Sequence, residues 1–136
     1  MSRPRSFRFS DTLLASLQQR ARERGESANA LAERYLTEGI RGDDHPLVVF
    51  REGMAGRRAA LVGTRLDVAQ VIDTLRESEN SMEATAEYLA IPEQHVRAAV
   101  RYYADFRDEV DEWRERTRAI AEREEDAWRR EQSVLA

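Results

Sequence analysis

After Pro92 the chain contains neither glycine nor proline, and Ala, Glu and Arg dominate it. Val96, Ala99, Tyr103, Phe106, Val110, Trp113, Thr117 and Ile120 follow one another at alternating spacings of three and four. That is the seam of a heptad repeat. The spacing predicts one helix over residues 93–132, about 60 Å long at 1.5 Å per residue. A helix of that length has too little surface of its own to bury such a stripe. It must fold back, pair with a copy of itself, or lie in a partner's groove. Beyond Ile120 the seam decays at Glu124 and Ala127, and Trp128 sits one step off it. Interleaved Arg and Glu offer exposed ion pairs of about 0.3–0.5 kcal/mol each. They read as a solvated face rather than as a pair of catalytic carboxylates.

Charge separates the rest of the 136 residues into parts. Residues 1–42 carry eight Arg against five acids, residues 43–104 seven against ten, and residues 105–136 seven against eleven. A basic head on an acidic body is the asymmetry of a chain whose one end meets a polyanion. All 22 basic residues are Arg. Cysteine is absent, which excludes disulfides, thiolate metal sites and a Cys nucleophile. The two histidines, His45 and His95, lie fifty residues apart. They point away from a His-rich metal site and from a Ser-His-Asp hydrolase. No P-loop, dinucleotide fingerprint or metal-ligand spacing is present. No enzyme activity, no metal and no cofactor are therefore expected. No apolar run nears the roughly 18 residues of a membrane span. Residues 1–5 lack the apolar segment of a signal peptide. The expected compartment is the cytoplasm, without membrane contact.

The head begins with a period-two alternation, Arg5-Ser-Phe-Arg-Phe9, which suits a short strand. Phe7 and Phe9 share one face, Ser6 and Arg8 the other. Ser10 offers an N-cap to a helix striped by Leu13, Leu14, Leu17 and Ala21, and Gly25 ends it. Ser27 caps a second helix, striped by Leu31, Tyr35, Leu36 and Ile40. Residues 42–46, Gly-Asp-Asp-His-Pro, read as a loop. A unit this small, with one strand lacking a partner, cannot stand alone. Two copies pairing their strands antiparallel would bury Phe7 and Phe9 and turn Ser6 and Arg8 outward on a ribbon that fits the DNA major groove.

Residues 3–41 resemble the ribbon-helix-helix family of Arc, MetJ and CopG type repressors and many bacterial antitoxins. The resemblance implies that Ser6 and Arg8 read bases and that Arg3 and Arg5 contact the backbone. It also implies that the second helix, at Ser27 and Ala28, grips a phosphate through its free N–H groups. Arg5 departs from the family, which usually has an apolar residue at that inward position.

The middle segment opens with Leu47-Val48-Val49-Phe50, a strand pattern, followed by a turn over residues 53–58 and a second strand over residues 59–62. Gly63-Thr64-Arg65 is a further turn. Helices follow near Asp67, after Ser81, and from Pro92 or Glu93. The last two, joined by a tight break, form a helix-turn-helix pattern. Gly56-Arg57-Arg58, Gly63-Thr64-Arg65-Leu66-Asp67-Val68, Val96-Arg97-Ala98-Ala99 and Tyr102-Tyr103-Ala104 resemble a small helix-turn-helix domain common in VapB-type antitoxins. The chain departs from it at Arg58-Ala59-Ala60. The segment's acidic balance favours packing or dimerisation, with DNA contact by Gln94, Arg97 or Arg101 as the lesser option.

The expected fold is mainly α with a short N-terminal strand. It comprises a ribbon-helix-helix dimer over 1–42, a helix-turn-helix domain with a β-hairpin over 43–104, and a long helical tail over 105–136. The resemblance implies the antitoxin of a type II toxin–antitoxin pair. It would bind double-stranded operator DNA as a homodimeric autorepressor and neutralise a PIN-like ribonuclease with its tail. Val110, Trp113, Ile120, Trp128, Arg129 and Arg130 are the expected partner-binding residues. Arg129 or Arg130 would enter the acidic nuclease site. Truncation after Ala104 is then expected to keep DNA binding and lose the partner. A stand-alone ribbon-helix-helix regulator, with a self-associating tail, is the alternative.

Overall fold

The computed structural model describes residues 3–136. These residues form six helices and one two-stranded sheet, in the order α1 (Asp11–Arg24), α2 (Ala28–Asp44), β1 (Val48–Gly53), β2 (Gly56–Leu61), α3 (Val68–Glu77), α4 (Met82–Leu89), α5 (Glu93–Asp105) and α6 (Arg107–Leu135). Contacts divide the chain into two units, one ending at Arg41 and the other running from Gly42 to Ala136.

In the first unit, local chemistry sets the helix ends. Ser10 Oγ accepts from Leu13 N at 3.2 Å. Gly25 closes α1 in the left-handed region, and its N–H bonds to the carbonyls of Ala21 and Arg22. Ser27 Oγ accepts from Ala30 N at 3.1 Å, so it caps α2 as expected. Glu26 reaches forward to Arg34 at 2.6 Å, tying the approach of α2 to its second turn. Two boundaries differ from the sequence reading. Residues 3–10 form no strand within the single chain. The expected loop at residues 42–46 starts later, because α2 runs on to Asp44 through two helical glycines, Gly39 and Gly42. Helical context overrides a propensity cost of about 1 kcal/mol per glycine here.

In the second unit, β1 and β2 pair antiparallel from Val48↔Leu61 to Gly53↔Gly56 around a two-residue turn at Met54-Ala55. The turn is thus shorter than the expected 53–58, and β2 starts three residues early. Gly56 takes a φ of 110°, which a side chain would resist. Alternate residues of the hairpin face the helices, and Val48, Leu61, Val68, Val71, Ile72, Val96, Ala99, Tyr102, Tyr103 and Val110 form one buried core. Gln70 Oε1 accepts from Asp67 N at the start of α3. Ser81 caps α4 by accepting from Ala84 N at 3.1 Å. Ala90 then takes a left-handed conformation, and Ile91 N reaches back to Ala86 O. That turn sets α5 off from α4, and the two helices are joined by a tight break.

The long helix is not continuous. Phe106, at φ −131° and ψ 42°, breaks it into α5 and α6. Six of the eight seam residues of the sequence reading therefore pack back on their own unit. Val96, Ala99 and Tyr103 on α5 and Val110 on α6 are buried in the core, with Phe106 and Trp113 packed against it. The first turns of α6 are thus packed in this unit.

Candidate functional site

The N-terminal candidates share one extended stretch. Arg3, Arg5, Ser6 and Arg8 are all exposed, ahead of the Ser10 cap. Phe7, on the face expected to point inward, is 74% exposed, and Phe9 is exposed as well. The helices behind them leave more apolar surface uncovered. Leu13, Leu14, Tyr35, Leu36 and Ile40 are exposed, and Ala21 and Leu31 are the buried residues of α1 and α2. At the start of α2, Ser27 is exposed and Ala28 partly so. The first turn of α2 contains no acid, so its positive dipole end is not neutralised from within the helix.

The C-terminal candidates are not gathered in one place. Val110 is 5% exposed and belongs to the core of its own unit, and Trp113 packs against that core. Val110 offers no free surface, whereas Trp113 is only partly buried and lines a groove beside α3. Ile120 is half-buried, Trp128 is 58% exposed, and Arg129 and Arg130 are exposed. Arg129 holds Glu125 at 2.6 Å.

Polar groups that sequence reasoning missed tie this unit together. Arg58 on β2 donates through Nε to Asp67 at 2.6 Å and through Nη1 to the Glu52 carbonyl at 2.8 Å. A Cβ on Gly53 would stand 2.5 Å from that Nη1, so the glycine leaves the guanidinium its path. Arg76 donates to Tyr103 Oη at 2.7 Å, and Tyr103 donates to Asp111 at 2.8 Å. Arg114 closes the chain onto Asp111 and Asp73. His45 Nε2 lies 2.9 Å from Asp105, its ring edge-on to Tyr102 and Phe106. Apart from the Arg114–Asp111 pair, three residues apart on α6, the signal was weak because each partner is carried on a different element or loop.

Between α3 and α6 lies an open groove of about 260 Å³, lined among others by Asp67, Gln70, Asp73, Trp113 and Arg118. Its charged groups are matched in pairs, which suits packing of α6 rather than acid–base chemistry. Gln94, Arg97 and Arg101 lie exposed along α5. Among the described residues, no three His, Asp or Glu side chains gather to hold a metal. No helix among them is long and apolar enough to cross a membrane. Comparison with known protein families, with characterised proteins and with solved structures finds no match.

Proposed function

We propose that the chain is a homodimeric DNA-binding protein whose C-terminal helix captures a protein partner, in the manner of a type II antitoxin. One observation carries the reading. The basic first unit leaves Phe7, Phe9, Leu13, Leu14, Leu36 and Ile40 exposed beside an extended segment that has no strand partner. Apolar surface of that extent on so small a unit calls for cover. A second copy supplies it by pairing the 5–9 segments antiparallel. The pairing that hides the phenylalanines turns Ser6 and Arg8 outward, where a ribbon meets base edges in the major groove. Arg3, Arg5 and the acid-free start of α2 at Ser27 and Ala28 then serve the phosphates.

The partner side of the reading moves outward along α6. With Val110 and Trp113 occupied in the core, the surface for a toxin such as a PIN-like ribonuclease is the stretch from Ile120 through Trp128, Arg129 and Arg130. The cytoplasm is the setting this reading implies.

Arg8→Ala is expected to weaken binding to a selected operator duplex by about 1–3 kcal/mol and to relax base preference. Gel shifts against cognate and scrambled duplexes measure both. Unchanged discrimination would remove the ribbon assignment. Sedimentation of the free chain should give a dimer, and Phe9→Asp should lower its mass.

A further inference from the structure

The outer half of α6 carries an ordered charge arrangement. Continuing the heptad of Trp113, Thr117 and Ile120 outward places Ile120, Ala127 and Val134 on one row of the seam and Glu124 and Glu131 on the other. Ala121, Trp128 and Leu135 flank the acidic row, and the latter two are exposed. On the opposite flank the same heptad position is filled three times by Arg, at Arg116, Arg123 and Arg130. These three are exposed and form no ion pair among the described residues. The other arginines of this stretch are engaged: Arg114 with Asp73, Arg118 with Glu115 and Arg129 with Glu125. The seam that decays in the sequence is therefore a mixed face, apolar on both sides of two carboxylates and edged by a row of unpaired cations.

Such a face is a poor match for itself. Two copies in parallel would stack Glu124 on Glu124 and Glu131 on Glu131 inside the seam, where like charges lose their water. Two copies antiparallel would lay the Arg row against its own copy at the flank, where charge decides orientation and partner. Both homotypic arrangements are opposed, by different residues.

We propose that the outer half of α6 docks on a different protein, one that presents acidic groups to Arg116, Arg123 and Arg130 and basic groups to Glu124 and Glu131. The acidic groups would repeat at about 10 Å, the rise of seven helical residues. This rests on the reading of α6 as the partner-binding element and adds the chemistry of the surface it meets.

The test uses the full chain and two synthetic amphipathic 28-residue helices. One carries Glu along the flank that would face the Arg row and Lys opposite the two carboxylates. Its twin has every charge reversed. Fluorescence anisotropy of the labelled peptides at low salt should show the first binding at least tenfold more tightly. The triple variant Arg116→Glu, Arg123→Glu, Arg130→Glu should reverse or abolish that preference. Ile120→Asp should leave the sedimentation mass of the chain unchanged. Equal binding of the twins, binding of neither, or a fall in mass with Ile120→Asp would each overturn the proposal. Operator gel shifts on the same preparations report on the first unit alone. A failed docking with an intact shift therefore rejects this inference while the DNA-binding reading stands.

Discussion

Replacing Tyr102 with alanine is expected to cost the second unit about 3–5 kcal/mol, the usual loss for a fully buried aromatic. Tyr102 has no exposed surface. It packs edge-on against His45 and Phe50 and lies tilted over Phe106 at 4.7 Å between centroids. Its hydroxyl donates to Glu109 on α6 at 2.9 Å. One side chain thus joins the start of the unit, the hairpin, the helix break and the following helix. Urea unfolding followed by Trp fluorescence measures the loss, since both tryptophans lie in this unit. Tyr102→Phe should cost only about 1 kcal/mol, the net worth of one hydrogen bond. Equal losses for the two variants would mean that the hydroxyl, and not the packing, holds α6.

Asp67→Ala is expected to cost about 2–3 kcal/mol. Removing one member of a buried ion pair strands the other, which commonly costs about 3–5 kcal/mol. The loss is smaller here because Arg58 is 22% exposed and keeps the Glu52 carbonyl. Gly53→Ala acts on the same guanidinium from the other side. Its methyl group would displace Nη1, so its effect should shrink once Asp67 is gone. A double-mutant cycle on urea midpoints reads that coupling. Full additivity would show that Gly53 matters for the turn alone.

The earlier expectation for truncation changes with the structure. A cut after Ala104 removes Phe106, Val110 and Trp113 from the core. It would damage the fold of the second unit as well as any partner surface. A cut after Arg118 is the one that separates the two.

Local chemistry was readable wherever a residue acts on its immediate neighbours. Ser10, Ser27 and Ser81 cap the helices they precede, and Gly25 ends α1. The break at Phe106 was not readable. Tyr103, Phe106 and Val110 keep the heptad spacing across it, and no glycine or proline marks it. What breaks the helix is tertiary, because Phe106 turns to reach His45 and Tyr102, the first of them 61 residues away in sequence. The extension of α2 through Gly42 was hidden for the converse reason, since a turn-like string of residues was held helical. The exposed side of α1 and α2 was legible as a need for cover, because the stripes of Leu, Tyr and Ile exceed what two short helices can bury between them. The Arg58–Asp67, Tyr103–Asp111 and Arg114–Asp73 pairs depend on how the hairpin meets the start of α3, how α5 meets α6 and how α6 meets α3, which no local pattern encodes.

The break at Phe106 also grades α6 along its length. The turns bearing Val110 and Trp113 are bolted to the core, so their amide protons exchange with solvent only when the whole unit opens. Past Ile120 the helix is held mainly by its own hydrogen bonds, and each turn toward Leu135 opens more readily than the one before. A partner that settles on the outer turns therefore begins with a rod already nucleated at one end. The ordering entropy of starting a helix has been met by the fold, and only propagation is left for binding to supply.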